Sequence, residues 1–133
     1  MADVGTYTPV VGTDARVPPM NRCVTRFQID WTSDASGDFE KTVTDPPAFF
    51  GRIIQLETKP GSGDDQPSDL YDVTITNAMG ADILDGEGAN RSNSSAQVAF
   101  LTHSVLVAGP LTFKVANAGN AKKGTIAVLL GSF

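Results

Sequence analysis

The sequence predicts an all-β fold, a two-sheet antiparallel β-sandwich of about eight strands. Three observations predict it. Apolar residues recur at every second position in several short segments, Gly and Pro clusters separate those segments, and no stretch repeats apolar residues at helical spacing. A jelly roll of two Greek keys is the commonest way to connect about eight strands, so we expect a jelly roll. An immunoglobulin-like sandwich fits the same alternation.

The first 21 residues differ from the rest of the chain. They are polar and contain Pro9, Pro18 and Pro19, which exclude a helix and a central strand. At 133 residues the chain has the length of a single domain. We therefore predict an extended N-terminal arm over residues 1–21 and a β-sandwich domain over residues 22–133. The arm is predicted to order on a neighbouring subunit.

The clearest alternation lies in residues 23–31. One face of this predicted strand carries Cys23, Thr25, Phe27, Ile29 and Trp31. The other carries Val24, Arg26, Gln28 and Asp30. Because successive side chains of a strand point to opposite faces, we predict a half-buried strand with Trp31 in the core.

Further strands are predicted where alternation resumes. They cover residues 39–43, 52–58, 71–75, 97–107, 111–115 and 126–130, with a brief apolar piece at 83–84. Residues 97–107 alternate less regularly, which predicts one bent strand or two, with the break near Thr102–Ser104. The last two strands flank a turn at 117–124, which predicts a hairpin. Residues 59–69 and 85–96 are predicted loops.

Charge and composition exclude several classes of partner. The formal net charge is −5, so nucleic acid and anionic membranes, which are also negative, are not expected as partners. A single cysteine, Cys23, cannot form an internal disulfide and is predicted to be a small buried residue. The first residues have neither the basic start nor the apolar core of a secretion signal. We expect a protein made in the cytoplasm, which leaves it only inside or upon a larger particle.

No catalytic residue is predicted. The single histidine, His103, lies between Thr102 and Ser104, and on a strand these neighbours point to the opposite face from it. A hydrogen-bonded pair of nucleophile and base is therefore not expected, and His103 is predicted to be structural or solvent-facing. With one His and one Cys, a zinc site within one subunit is excluded. We predict that the chain is not an enzyme.

Carboxylates are more numerous and form two groups that offer the oxygen ligands calcium prefers. The first contains Asp64, Asp65, Asp69 and Asp72, and the second contains Asp82, Asp85, Glu87 and Asn90. Their spacing matches no calcium loop, so we predict polar turns held by Asx-type hydrogen bonds, with no metal and no cofactor. A paired-carboxylate glycosidase is not predicted, because it needs a cleft lined by aromatic rings and only 8% of the residues are aromatic.

Two sequence matches indicate exposed loops rather than functions. Asn90-Arg-Ser and Asn93-Ser-Ser match the glycosylation acceptor pattern, which here indicates an exposed polar loop. Lys122 and Lys123 lie in the predicted hairpin turn and are predicted to be solubilising.

Several segments resemble small structural proteins of tailed-bacteriophage virions. They are residues 27–37, 71–76, 80–84 and 124–130, and the resemblance spans residues 24–131. It implies a virion protein that decorates or cements the capsid, with the major capsid protein and copies of itself, as a dimer or trimer, for partners. Alternatives are a neck or tail protein of the virion, and a carbohydrate-binding or adhesin module that would stack sugars on exposed Trp or Tyr. No catalytic residues are carried over from the family.

Overall fold

The computed structural model describes residues 6–17, 22–44 and 50–131, and within them the side chains of 26–44, 52–101, 107 and 109–131. These residues form two antiparallel sheets and contain no α-helix. The strands are β1 (Thr6–Val17), β2 (Arg22–Thr32), β3 (Phe39–Val43), β4 (Phe50–Pro60), β5 (Asp72–Thr76), β6 (Gln97–Ala108), β7 (Leu111–Ala116) and β8 (Lys123–Gly131). A short 3-10 helix, Gly63–Asp65, precedes β5.

The larger sheet has the order β1-β2-β8-β4-β6, and the smaller sheet has the order β3-β7-β5. Seven strands form the body of the two sheets, and β1 extends the larger sheet at its edge. The predicted all-β, two-sheet antiparallel fold is confirmed.

The core fills the space between the two sheets. Phe27, Ile29 and Trp31 on β2 are buried, as the alternation predicted. The ring centroids of Phe27 and Phe113 are 5.5 Å apart, and this pair joins β2 of the larger sheet to β7 of the smaller sheet. The ring centroids of Trp31 and Tyr71 are 5.7 Å apart, and this pair joins β2 to the residue that precedes β5. Burying each such side chain contributes about 1.5–3 kcal/mol. The prediction that Trp31 belongs to the core is confirmed.

The predicted hairpin of the last two strands is wrong. β7 pairs with β3 and β5 in the smaller sheet, whereas β8 pairs with β2 and β4 in the larger sheet. Residues 117–122 therefore cross from one sheet to the other. Alternation identifies a strand and its buried face, but it carries no information about which strand is the partner.

The predicted irregularity in residues 97–107 is confirmed as a bend in one strand. Ile53 pairs with Val105, whereas Gln55 pairs with Phe100, so residues 101–104 of β6 bulge opposite a single residue of β4. His103 lies in this bulge, and its side chain is outside the described residues. The side chain of Cys23, which pairs with Arg16, is also outside them.

Residues 82–91 take the place of a strand beside β5. Isolated antiparallel bridges pair Thr76 with Asp82 and Tyr71 with Arg91, although the residues between the bridges are turns. The Val73 amide donates to the Gly88 carbonyl at 2.8 Å. Ile83 and Leu84 are buried, and so is Gly88. The predicted loop at 85–96, expected to be exposed over 85–95, is therefore buried at Gly88, because the segment packs against the free side of β5.

The part of the predicted arm that the structure describes is extended. Residues 6–17 form β1, which pairs antiparallel with β2 and places Pro9 opposite Ile29. A proline has no amide to donate and is tolerated at a sheet edge, which is where β1 lies. The function of residues 1–21 as an arm that orders on another subunit stays a prediction.

We expect Gly88→Ala to lower the free energy of unfolding by about 1–3 kcal/mol, because overpacking forces the backbone to shift. A Cβ at residue 88 would lie 2.1 Å from the Val73 carbonyl oxygen. Urea denaturation measures the loss. The control is Ala89→Ser at the exposed neighbouring position, expected within about 0.5 kcal/mol of the wild type. Equal stabilities of Gly88→Ala and the control would contradict the close approach.

We expect Tyr71→Phe to reduce the loss of stability at alkaline pH. Burial raises the pKa of Tyr71 above its usual 10.0, and the Thr58 hydroxyl and the Arg91 charge oppose this rise only in part. The folded state therefore favours the neutral phenol, and this stabilisation is complete below pH 10.0 and is lost as the pH rises further. Thermal unfolding between about pH 9 and about pH 11 tests this. Parallel pH curves for wild type and variant would refute it.

Candidate functional site

The acidic residues considered as calcium ligands are engaged in turns. Asp82 accepts hydrogen bonds from three backbone amides: its Oδ1 from Ile75 at 3.3 Å and Leu84 at 3.1 Å, and its Oδ2 from Gly86 at 3.0 Å. These bonds fix the start of the segment that packs beside β5. Asp82 therefore has a structural function that uses both carboxylate oxygens.

Acids of the other group hold neighbouring loops in the same way. Asp72 accepts from the Asn90 amide at 2.9 Å and from the Asn117 side-chain amide at 2.9 Å, and Asp69 accepts from the Asn93 amide at 3.2 Å. The predicted Asx-type turn is confirmed at Asp82, whereas Asp69 and Asp72 join loops that are far apart in the chain. Within residues 6–17, 22–44 and 50–131, no three His, Cys, Asp or Glu side chains are grouped closely enough to hold a metal ion.

The two long predicted loops meet at the same end of the sandwich. The Gln66 side-chain amide donates to the Asn93 carbonyl at 2.9 Å, and the Asn93 side-chain amide donates to the Pro67 carbonyl at 3.2 Å. The Leu70 amide donates to the Arg91 carbonyl at 3.0 Å. The sequence alone did not show whether these loops lie at one end or at opposite ends. The structure places them together.

Two more loops join this surface. The Ser33 amide donates to the Lys122 carbonyl at 2.8 Å, and the Ala118 amide donates to the Gly37 carbonyl at 3.0 Å. The Ser68 amide donates to the Ala118 carbonyl at 2.9 Å. Residues 33–38, 61–70, 91–95 and 117–122 thus form one hydrogen-bonded surface, which we name the loop end. Its backbone is held by many bonds, so it can bind a partner with little loss of conformational entropy.

Leu70 is the exposed large apolar side chain of the loop end. Its side chain is 56% exposed, and its backbone has φ of 64°, a left-handed conformation that costs a residue other than glycine about 1–2 kcal/mol. The hydrogen bond from its amide to Arg91, and a 2.7 Å bond from the Arg91 amide to the Tyr71 carbonyl, hold it there. Strained residues cluster at binding sites, which makes Leu70 a candidate contact residue.

Part of the outer face of the larger sheet carries a network of hydrogen-bonded polar side chains. Hydrogen bonds link Arg26, Gln28, Asp30, Gln55, Glu57 and Thr125. The Arg26 Nη2 and Glu57 Oε1 atoms are 3.3 Å apart, and the Thr125 hydroxyl donates to Asp30 at 2.8 Å. A hollow of about 420 Å³ lies over this network, and Lys59 lines it together with two neighbouring hollows of about 560 and 410 Å³. These hollows bring together charged side chains and the hydrogen-bonded pair of Thr125 and Asp30.

Sequence reasoning did not single out the exposed large apolar residues. Those that the structure describes are Ile54, Leu70, Met79, Val98 and Phe100. For Val98 and Phe100 the sequence did carry a signal. Residues 98–101 are all apolar, so a strand over them must have apolar side chains on both of its faces. For Leu70 no signal existed, since its exposure depends on a backbone conformation fixed by the neighbouring loop.

No protein-family model matches the chain, and no curated protein matches it. Among the residues that the structure describes, no helix combines the length and the apolar character needed to cross a membrane. The functional interpretation therefore depends on the fold and its surfaces.

We expect Asp82→Ala to lower the free energy of unfolding by about 1–3 kcal/mol, because three backbone amides lose their acceptor. The matched control is Glu87→Ala, which removes an exposed carboxylate of the same segment and is expected to stay within about 0.5 kcal/mol of wild type. Chemical denaturation, with and without added calcium, measures the free energy of unfolding of both variants. If Asp82→Ala were as stable as the control, the three hydrogen bonds to the Asp82 carboxylate would not be needed to stabilise the segment.

Proposed function

We propose that the chain is a virion structural protein of a tailed bacteriophage, most specifically a capsid decoration or cement protein that binds and stabilises the major-capsid shell. The proposal starts from the nested order of strand pairs. β2 pairs with β8, β3 with β7 and β4 with β6, and β5 is bordered by residues 82–91.

Nested pairs of this kind arise when one long hairpin is rolled into two sheets. A jelly roll consists of eight strands in two Greek keys, and we propose that this chain is a jelly roll in which residues 82–91 replace one strand. Jelly rolls occur in viral capsid domains and in lectins. The topology therefore supports the virion proposal and the carbohydrate-binding alternative equally, and the surfaces must separate them.

The aromatic residues favour the virion protein. A sugar-binding module stacks sugars on exposed Trp or Tyr, whereas Trp31 and Tyr71 are both buried here. The side chain of Tyr7 lies outside the described residues. A carbohydrate-binding function would thus have to use residues other than the two buried rings that the structure describes.

The loop end is the surface we propose for shell binding. Its four loops are joined by backbone hydrogen bonds, and it presents Leu70 to solvent. A rigid contact surface with one apolar anchor gives modest affinity per copy. This suits a protein that binds a lattice of identical sites, where many weak contacts stabilise the shell together. β1, at the edge of the larger sheet, is a second candidate contact.

The test is binding to shells that lack the protein, measured by co-sedimentation. We expect Leu70→Asp to weaken binding at least about tenfold, which is the loss of affinity typical of removing a buried hot-spot residue from an interface. The control is Met79→Asp, because Met79 is 91% exposed and lies beyond the opposite end of β5. Circular dichroism checks that both variants fold.

Cryo-electron microscopy of the particles gives the copy number. A lattice of many copies on the capsid would support the decoration protein, and a single ring would instead indicate the neck or tail. Absence of the wild-type chain from particles would overturn the proposal and make glycan binding the next assay. Equal weakening by both Asp variants would overturn the assignment of the loop end.

A further inference from the structure

The edges of the two sheets differ in how well they are protected against pairing with another chain. An unpaired edge strand is a template for a further strand unless Pro, charges, bulges or a covering segment block it. The β1 edge contains Pro9 and a register shift between Asp14 and Arg16. The β3 edge is five residues long and carries Glu40 and Lys41, and residues 82–91 border β5.

The first half of β6 lacks these protections. Residues 97–101 contain no charge, no Pro and no Gly, and among the described residues β6 pairs only with β4. Val98 is 54% exposed and Phe100 is 71% exposed, whereas Ala99 and Leu101 pack against the core. Both the backbone edge and two apolar side chains are therefore open to a partner. The bulge at residues 101–104 limits the pairing to this half.

We propose that two copies of this chain associate through residues 97–101 of β6, paired antiparallel about a two-fold axis at Ala99. In this register Val98 lies opposite the partner's Phe100, and Phe100 lies opposite the partner's Val98. Each copy thus gives the other an aromatic and β-branched pair, which stabilises neighbouring strands. The edge amides and carbonyls of both copies gain partners, and the larger sheet becomes continuous across the dimer.

The composition and spacing of residues 97–101 favour a second copy as the occupant. Each chain carries a net charge of −5, so two copies repel unless their contact avoids the acidic loops. Residues 97–101 are uncharged. The nearest charged residues on the outer face, Arg26 and Glu57, form a salt bridge with no net charge. A two-fold contact also requires a segment that complements itself, and Val98 and Phe100 are equally spaced from Ala99.

The proposed contact is small, so we expect the dimer to be weak. A strand pair of five residues buries well below the roughly 1,600 Å² of a standard interface, so we expect a dimer that forms at micromolar concentration or above. The inference does not rest on the proposed function, because it concerns a surface outside the loop end.

Sedimentation velocity over a concentration series tests the proposal with the full chain. We expect the wild type to shift from monomer to dimer, and Phe100→Lys to weaken dimerisation at least about tenfold by placing a charge against an apolar partner. The control, Met79→Lys, adds the same charge at a distant exposed residue and should dimerise like the wild type.

A pair of double variants tests the register. In the combination of Val98→Glu with Phe100→Lys, each introduced carboxylate faces an introduced ammonium of the other copy, so dimerisation should return and weaken with added salt. In the combination of Val98→Lys with Phe100→Lys, ammonium groups face each other and the chain should stay monomeric. Thermal unfolding confirms that each variant folds.

Three results would overturn the proposal. They are a wild type that is monomeric at all concentrations, a Phe100→Lys variant that dimerises like the Met79 control, and a mixed-charge double variant that fails to recover. Hydrogen exchange adds a readout without substitutions, since the amides of residues 97–101 should become slower to exchange as concentration rises. Unchanged exchange there would exclude edge pairing.

Discussion

The contact between Trp31 and Tyr71 across the sandwich determines much of the remaining structure. The indole packs over Gly124 of the central strand β8, where an added Cβ would lie 2.5 Å from Trp31 Cζ2, and it meets the Tyr71 ring at 5.7 Å. This contact fixes where β5 begins relative to the larger sheet. Because the Tyr71 carbonyl also accepts from the Arg91 amide, and the Arg91 carbonyl accepts from the Leu70 amide, the same contact positions Leu70 and the loops around it.

Carboxylates and amides shape the loop end and the segment beside β5. Asp69, Asp72 and Asp82 each accept bonds from backbone amides, and Asn93 joins its own loop to residues 66–69. Side-chain oxygens of this kind stabilise tight turns that leave amides without partners. The acidic residues of the chain thereby hold its loops, including those of the surface that we propose for shell binding.

Much of the fold was predictable because alternation reports the buried face directly. Phe27, Ile29 and Trp31 were assigned to the core, and the bend in β6 was placed correctly, since both depend on neighbouring residues in the chain. The hairpin of β7 and β8 was predicted wrongly, because the two strands belong to different sheets. Of the candidate site, the turn at Asp82 followed from residue types, whereas the exposure of Leu70 did not.

The sequence by itself determined the all-β class, the approximate positions of β2 to β8, the core face of β2 and the turn at Asp82, because these depend on local spacing and residue chemistry. Only the tertiary structure decided which strands are partners, that residues 82–91 border β5, and that loops 61–70 and 91–95 share one end. These features depend on contacts between residues far apart in the chain. Such contacts form only when the two sheets close over a common core, and a local pattern does not encode them.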